Sequence, residues 1–195
     1  MKRIAPVESV TLTDGILAER DRLTIENLLL EVDAEEFASI FATEHDSWFA
    51  EPEFAGQFVD ASVMYYRRTG DTRHLERARI VVEAMRTHQR ADGYLGTYMA
   101  GKEFDESFSI WNQAFVIKGL LSFYQTTGEE SALEAAGRSA RYIASYYLGP
   151  EKPEILKSLN QCLQHTTILE QMIRLYKLTD EALFLEFGRF IVRRW

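Results

Sequence analysis

Along most of the chain, apolar side chains recur at the three- and four-residue steps of amphipathic helices. Phe54, Phe58, Val59, Ser62, Val63 and Tyr66 form one such stripe, which ends at Thr69-Gly70. Leu75, Ala78, Val82 and Met85 form the next, after Asp71. Gly70 suits the left-handed residue that closes a helix without a Cβ penalty, and Asp71 suits the cap of the helix that follows. The same wording occurs three times, as Tyr66–Thr69–Gly70–Asp71–Leu75, Tyr124–Thr127–Gly128–Glu129–Leu133 and Tyr176–Thr179–Asp180–Glu181–Leu185. Asp180 replaces the glycine in the third copy and tolerates the left-handed region better than most residues. A repeat that closes one helix and opens another predicts tandem helical hairpins. The fold class is therefore all-α.

The second hairpin reads Ile110, Ala114, Ile117, Leu121 and Tyr124 before its turn, then Leu133, Ala136, Ala140, Ile143 and Tyr147 after it. The third reads Leu169, Met172 and Tyr176, then Leu185, Gly188, Val192 and Trp195. Trp111 and Phe115 give the helix from Phe108 to Tyr124 a second apolar side, as expected of an inner helix buried on two faces. The helix from Asp71 to Gln89 carries Arg73, Glu76, Arg77, Glu83 and Arg86 off its stripe and reads as an outer helix. Residues 1–20 read as irregular, with a turn at Asp14-Gly15. A first helix is expected within Leu23 to Leu30 and a short second one from Glu35 to Phe41. The whole, residues 1–195, is expected to be one domain. Long connections at 91–108 and 148–158 mark one end of the hairpins as the place for function.

Composition narrows the classes. Apolar residues make up 46% of the 195, enough for a core. A net charge of −8 without a basic cluster argues against nucleic acid as a partner. No window approaches the roughly 18 apolar residues of a membrane span. The single cysteine, Cys162, excludes an internal disulfide and a Cys-rich metal site, and reads as a packing residue. No HExxH or paired-His spacing, phosphate loop or GxSxG elbow is present, so no metal site is assigned. Met1-Lys2-Arg3-Ile4-Ala5-Pro6 lacks the apolar run of a secretory signal, so the expected compartment is the cytoplasm. The stripe is still apolar at Arg193-Arg194-Trp195, which reads as an array cut short.

The most distinctive short segment is Gln89-Arg90-Ala91-Asp92-Gly93-Tyr94-Leu95-Gly96-Thr97-Tyr98. Aromatic faces beside carboxylate and amide groups suit sugars; the alternative is a turn capped by Asp92 with packed tyrosines. Asp46, Glu51, Asp92, Asp105, Glu106 and Glu170 are candidate acids at loop ends. Trp48 and Trp111 are candidate sugar platforms.

That segment, with Gly119-Leu120-Leu121-Ser122-Phe123-Tyr124-Gln125-Thr126-Thr127-Gly128, Ile168-Leu169-Glu170-Gln171-Met172-Ile173-Arg174-Leu175-Tyr176 and Gly56-Gln57-Phe58-Val59-Asp60-Ala61, resembles the β-L-arabinofuranosidase family of glycoside hydrolases, family 127. The resemblance implies an α/α toroid of six hairpins, of which this chain holds about half. It implies glycosidic bond hydrolysis on an oligosaccharide or glycan, with this chain supplying one wall of the sugar pocket. The residues of that wall are Trp48, Gln89, Asp92, Tyr94, Trp111, Gln113, Asn160 and His165. In the family, a zinc-bound cysteine nucleophile and a carboxylate acid/base belong to the second half, so no catalytic residue and no cofactor is assigned to this chain. The sequence departs from the family where histidines are expected, at Gln113 and near Asn160; His165 lies five residues on, roughly 500° around a helix. Two alternatives stay open: a sugar epimerase, since those enzymes also use hairpin toroids, and a helical scaffold that self-associates through apolar hairpin edges.

Overall fold

The computed structural model describes residues 12–46, 51–104, 108–156 and 164–195. Trp48, Asp105, Glu106, Asn160 and Cys162 lie outside the described residues. The chain forms two compact units, Met1–Val32 and Asp33–Trp195.

In the first unit, α1 (Gly15–Thr24) runs into a π-helical turn, Ile25–Leu29. This corrects the reading of residues 1–20 as irregular from Gly15 on; residues 1–11 of that reading lie outside the described residues. The chain bends at Asp14, with Gly15 at φ +84°, as the turn signal there implied, and the Asp14 carboxylate accepts from the Gly15 N–H at 2.6 Å at the start of the helix. α1 buries none of its residues, so it carries no apolar stripe for a periodicity reading to find.

The second unit opens with α2 (Ala34–Ser39), capped by Asp33 and extended by a 3₁₀ turn at Ile40–Ala42, as expected between Glu35 and Phe41. Three hairpins follow. They are α3 (Glu51–Thr69) with α4 (Thr72–Thr87), α5 (Ser109–Thr127) with α6 (Glu130–Tyr147), and α7 (Ile168–Thr179) with α8 (Ala182–Arg194). The described residues contain no strand, only a parallel bridge between His45 and Tyr98.

The repeat is a turn device. Gly70, Gly128 and Asp180 take φ of +72°, +73° and +55°. Their N–H groups donate to the carbonyls of Tyr66, Tyr124 and Tyr176, each at 2.8 Å. The repeat threonine does two jobs. Its hydroxyl donates to the carbonyl four residues back (Tyr65, Phe123, Leu175) and accepts from the N–H two residues on (Asp71, Glu129, Glu181). Orphan groups at the end of one helix and the start of the next are thereby satisfied at three equivalent places.

The hairpins stack in two rows, with α3, α5 and α7 successive neighbours in one and α4, α6 and α8 in the other. α5 is an inner helix, with twelve of its residues buried, including Ile117, Leu120, Leu121 and Phe123, but its Trp111–Phe115 side, expected to be the second buried face, is only half-buried. Its contact with α3 is made by glycines. A Cβ on Gly119 would stand 2.7 Å from the Gly56 carbonyl oxygen, and one on Gly56 would strike the α5 backbone at Phe115 and Val116. The backbones therefore approach more closely than any side chain allows. In α4, His74 occupies a fully buried position beside the half-buried Leu75; the equivalent residues in α6 and α8 are Ala132 and Phe184.

Candidate functional site

The connection from α4 to α5 is held as a clasp against α6. Gln89 Nε2 donates to the carbonyls of Gly93 and Ala135, both at 2.9 Å. Asp92 Oδ1 accepts from the Tyr94 N–H at 3.0 Å, and Asp92 Oδ2 accepts from Arg90 at 2.9 Å. Arg90 also pairs with the buried Glu103, reaches the Tyr142 hydroxyl at 3.2 Å, and lies 4.5 Å from the centre of the Tyr94 ring. Arg138 of α6 donates to the Arg90 carbonyl at 2.7 Å. Gly93 sits at φ +101°, where a Cβ would stand 2.7 Å from the Arg138 carbonyl oxygen. Burial opposes charge on Arg90 and Glu103, but the hydrogen bonds of Arg90 to Asp92 and Glu103 prevail, raising the Arg90 pKa and lowering that of Glu103. Burial drives the Tyr94 hydroxyl pKa up and the Tyr142 pKa to about 12. Tyr94 is buried, with its hydroxyl accepting from the Tyr98 N–H at 3.2 Å. The Asp92 cap and the packed tyrosine of the turn alternative are thus both present. Asp92 keeps its carboxylate about half exposed, at 47%. The His45 segment joins the same loop, with its N–H on the Thr97 carbonyl at 2.7 Å.

The open face lies on the inner row. Trp111, Phe115, Lys118, Ser122 and Gln125 recur at steps of four and three along α5, so they share one face. The face is aromatic at its N-terminal end, where the Trp111 and Phe115 rings lie 5.1 Å apart and tilted by 52°. It is polar further along. Lys118 Nζ stands 5.9 Å from the Phe115 ring centre and pairs with Asp60 of α3 at 2.8 Å. Between α5 and α7 this face bounds a hollow of about 260 Å³, lined by Ala114, Phe115, Lys118, Thr167, Glu170 and Gln171. Ser122 Oγ donates to Asp60 Oδ1 at 2.5 Å, and Arg174 of α7 donates to Gln125 at 2.9 Å and to Gln171 at 3.2 Å. One polar chain therefore ties α3, α5 and α7 together below the hollow.

The structure scatters the residues expected at the site. Trp111 lies on the open face, and its indole Nε1 is buried without a hydrogen-bond partner among the described residues. Gln113, two residues on and about 200° around the helix, faces α6 instead, where its Oε1 accepts from Ser139 Oγ at 3.2 Å. His165 is buried, with Nδ1 2.5 Å from the Ile155 carbonyl oxygen and its ring 6.4 Å from that of Tyr147. Gln89, Asp92 and Tyr94 belong to the clasp; Trp48 and Asn160 lie outside the described residues. Sequence reasoning named Glu170, which does reach the hollow, but missed Phe115, Lys118, Gln171 and Asp60. For Phe115 and Lys118 the signal available was the second stripe of α5, offset from the apolar one; Asp60 on α3 and Gln171 on α7 left no such signal. The described residues hold no group of His, Cys, Asp and Glu suited to a metal ion, and no helix long and apolar enough to cross a membrane.

Among solved structures the fold is similar to a GH127 β-L-arabinofuranosidase from Geobacillus stearothermophilus T6, with a TM-score of 0.73 and 19% identity over 95% of this chain and 32% of that one. It is also similar to a second GH127 β-arabinofuranosidase, with a TM-score of 0.72 and 19% identity over 94% of this chain and 32% of that one. A third structure, a glycoside hydrolase, gives 0.62 and 15% over 93% and 26%. The chain spans about a third of the length of the two arabinofuranosidases. No curated protein matches it in sequence. Its three hairpins in two rows are the corresponding part of the helical toroid. Residues 10–194 match the family model described as β-L-arabinofuranosidase, GH127 catalytic domain, and with that match over nearly the whole length the chain belongs to the GH127 family.

Proposed function

We propose that this chain is part of a glycoside hydrolase catalytic domain acting on an arabinofuranoside-containing oligosaccharide, and that it supplies one wall of the sugar pocket. The observation that carries the reading is the α5 face that passes from Trp111 and Phe115 to Lys118, beside Glu170 and Gln171 of α7. A sugar presents C–H faces that pack on aromatic rings and hydroxyls that need paired donors and acceptors. The hollow supplies both through Phe115, Lys118, Glu170 and Gln171, with Trp111 beside Phe115 on the same face. Trp111 is the platform, Lys118 a donor and Glu170 an acceptor. Gln89, Asp92 and Tyr94 support the wall by fixing the connection that leads into α5. Trp48 and Asn160 join it on the family resemblance alone. Hydrolysis needs two groups flanking the bond, roughly 5–9.5 Å apart; the role proposed for these residues is binding and orientation. The zinc implied by the resemblance finds no ligand set among the described residues.

A further helical layer against α7 and α8 is part of the same reading. Val192 is 63% exposed, whereas Val82 and Ala140, at the equivalent repeat positions, are 2% and 0% exposed. Leu169 and Ile173 are half-buried where Val59, Ile117, Val63 and Leu121 are buried. The apolar character is kept and the cover is not, which supports packing by more of the catalytic domain or by a second copy.

The test is calorimetric titration with a β-linked arabinofuranosyl disaccharide. Binding on the order of 1 mM, lost in Trp111→Ala measured at a temperature where circular dichroism shows the variant folded, is expected. Equal binding by the variant removes Trp111 from the site, and no binding by the wild type removes the reading.

A further inference from the structure

We infer that Asp60 is a positioning residue that sets the charge preference of the hollow by holding and neutralising Lys118; this rests on the sugar-wall reading above. Asp60 lies on α3 and does not line the hollow, yet its two oxygens take the two groups of α5 nearest to it. Oδ2 accepts from Lys118 Nζ at 2.8 Å and Oδ1 from Ser122 Oγ at 2.5 Å. Its side chain is 14% exposed, while that of Lys118 is 33% exposed, so the pair is wet on the lysine side only. Lys118 is the cation lining the hollow, and Glu170 its carboxylate. Two more cations reach Ser122: Arg174 is turned to Ser122, Gln125 and Gln171, and Arg67 to the Ser122 carbonyl and Thr126. With Asp60 ionised, the ammonium is drawn back toward α3 and its charge is balanced, leaving N–H donors for neutral hydroxyls and no net attraction for a carboxylate. Without that charge, the same ammonium becomes an anion site at the foot of an aromatic shelf, the arrangement that would favour a uronate over a neutral sugar.

Asp60→Asn isolates this effect, because the amide oxygen can still accept from Ser122 and Lys118 while the charge is gone. The ligands are a β-linked arabinofuranosyl disaccharide and the same disaccharide with its terminal C5 alcohol oxidised to a carboxylate, titrated calorimetrically at low and high salt. The wild type is expected to bind the acid no better than the neutral sugar. Asp60→Asn is expected to bind the neutral sugar within twofold of wild type and the acid roughly three- to tenfold more tightly at low salt, the size of one unit charge across a few ångströms of wet groove. The gain should fade at high salt. Lys118→Gln, which leaves the Asp60 and Glu170 charges without their cation, should weaken acid binding further, and high salt should relieve that loss. A residue with only a structural role would move both ligands together. Unchanged acid binding in Asp60→Asn with neutral binding intact overturns the inference, as does parallel loss of both ligands. If Asp60→Asn fails to fold, an unchanged acid-to-neutral ratio in Lys118→Gln overturns it. Failure of either ligand to bind the wild type is a different result: it overturns the sugar-wall reading and this inference with it.

Discussion

Adding one methyl group to Gly56 should unfold the wall at its tightest point, and the structure allows the size of the effect to be worked out. A Cβ there would stand 2.7 Å from the Val116 backbone nitrogen and closer still to the Phe115 carbonyl, against an ordinary contact of at least 3.4 Å. The obstacle is main chain in mid-helix, which no rotamer change can move aside. α3 and α5 must therefore separate by at least about 0.7 Å, the difference between those two distances, and the packing of Val59, Ile117 and their neighbours loosens with them. Overpacking of this kind costs about 1–3 kcal/mol, more when backbone is in the way. The helix propensity gained in replacing glycine by alanine returns about 1 kcal/mol. The net expectation for Gly56→Ala is a loss of about 2 kcal/mol, or roughly 4–8 °C in melting temperature for a chain of this length. Gly137→Ala in α6 is the control. Its Cβ would meet only the tip of the flexible Arg141 side chain at 3.4 Å, so propensity dominates and stability should rise by about 0.5–1 kcal/mol. Thermal melts followed by circular dichroism at 222 nm read both variants. A melting temperature for Gly56→Ala at or above that of the wild type would refute the claim that glycine-mediated backbone contact locks the inner row.

Three further outcomes are expected. Burial lowers the pKa of His74 from 6.5, so the folded state holds this ring neutral. Its share of stability is complete above pH 6.5 and is lost as pH falls through the lowered folded value. Denaturant melts between pH 5 and 7 should therefore show a slope that His74→Leu flattens, and an equal slope in the variant would assign it to other groups. Arg90→Ala leaves Glu103 buried without its cation and should cost about 2–4 kcal/mol; Arg90→Lys should recover less than half, since one ammonium cannot serve Asp92, Glu103 and the Tyr142 hydroxyl together. Equal stability of both variants in urea melts would remove the clasp from the argument. Val192→Lys places a charge on the exposed apolar edge of α8 and should reduce self-association in sedimentation velocity, whereas wild type and variant sedimenting as the same monomer would show that this edge is not self-adhesive.

How much of this was legible in sequence depended on which face of each helix had a partner. The hairpins were, because Gly70, Gly128 and Asp180 stand at turns where local stereochemistry is enough to decide. α1 was not, since its residues bury nothing and leave no period to detect. The glycine contact of α3 with α5 was invisible too, because Gly56 and Gly119 lie 63 positions apart (56 to 119) and mid-helix glycine alone reads as a weak spot. At the site the structure turns the residues named from the sequence in different directions. Gln113 rests on the family resemblance, yet a two-residue offset from Trp111 turns it toward Ser139 of α6. The Gln89–Tyr98 segment was singled out for its chemistry, and that same chemistry is used within the chain, with Arg90, Glu103 and Arg138 as partners. Lys118 and Asp60 escaped notice because a Lys and an Asp on separate helices look like solvated charges until the fold brings them to 2.8 Å.

Mapping the sugar onto the wall by chemical-shift perturbation, with ¹⁵N-labelled protein and a β-linked arabinofuranosyl disaccharide, locates the site without reference to turnover. Shifts concentrated at the Trp111 indole N–H, Phe115, Lys118, Glu170 and Gln171, saturating together, are what the wall predicts. Shifts confined to the outer helices α4, α6 and α8, or none at millimolar sugar, would show that the open face of α5 and α7 is not where this chain meets carbohydrate.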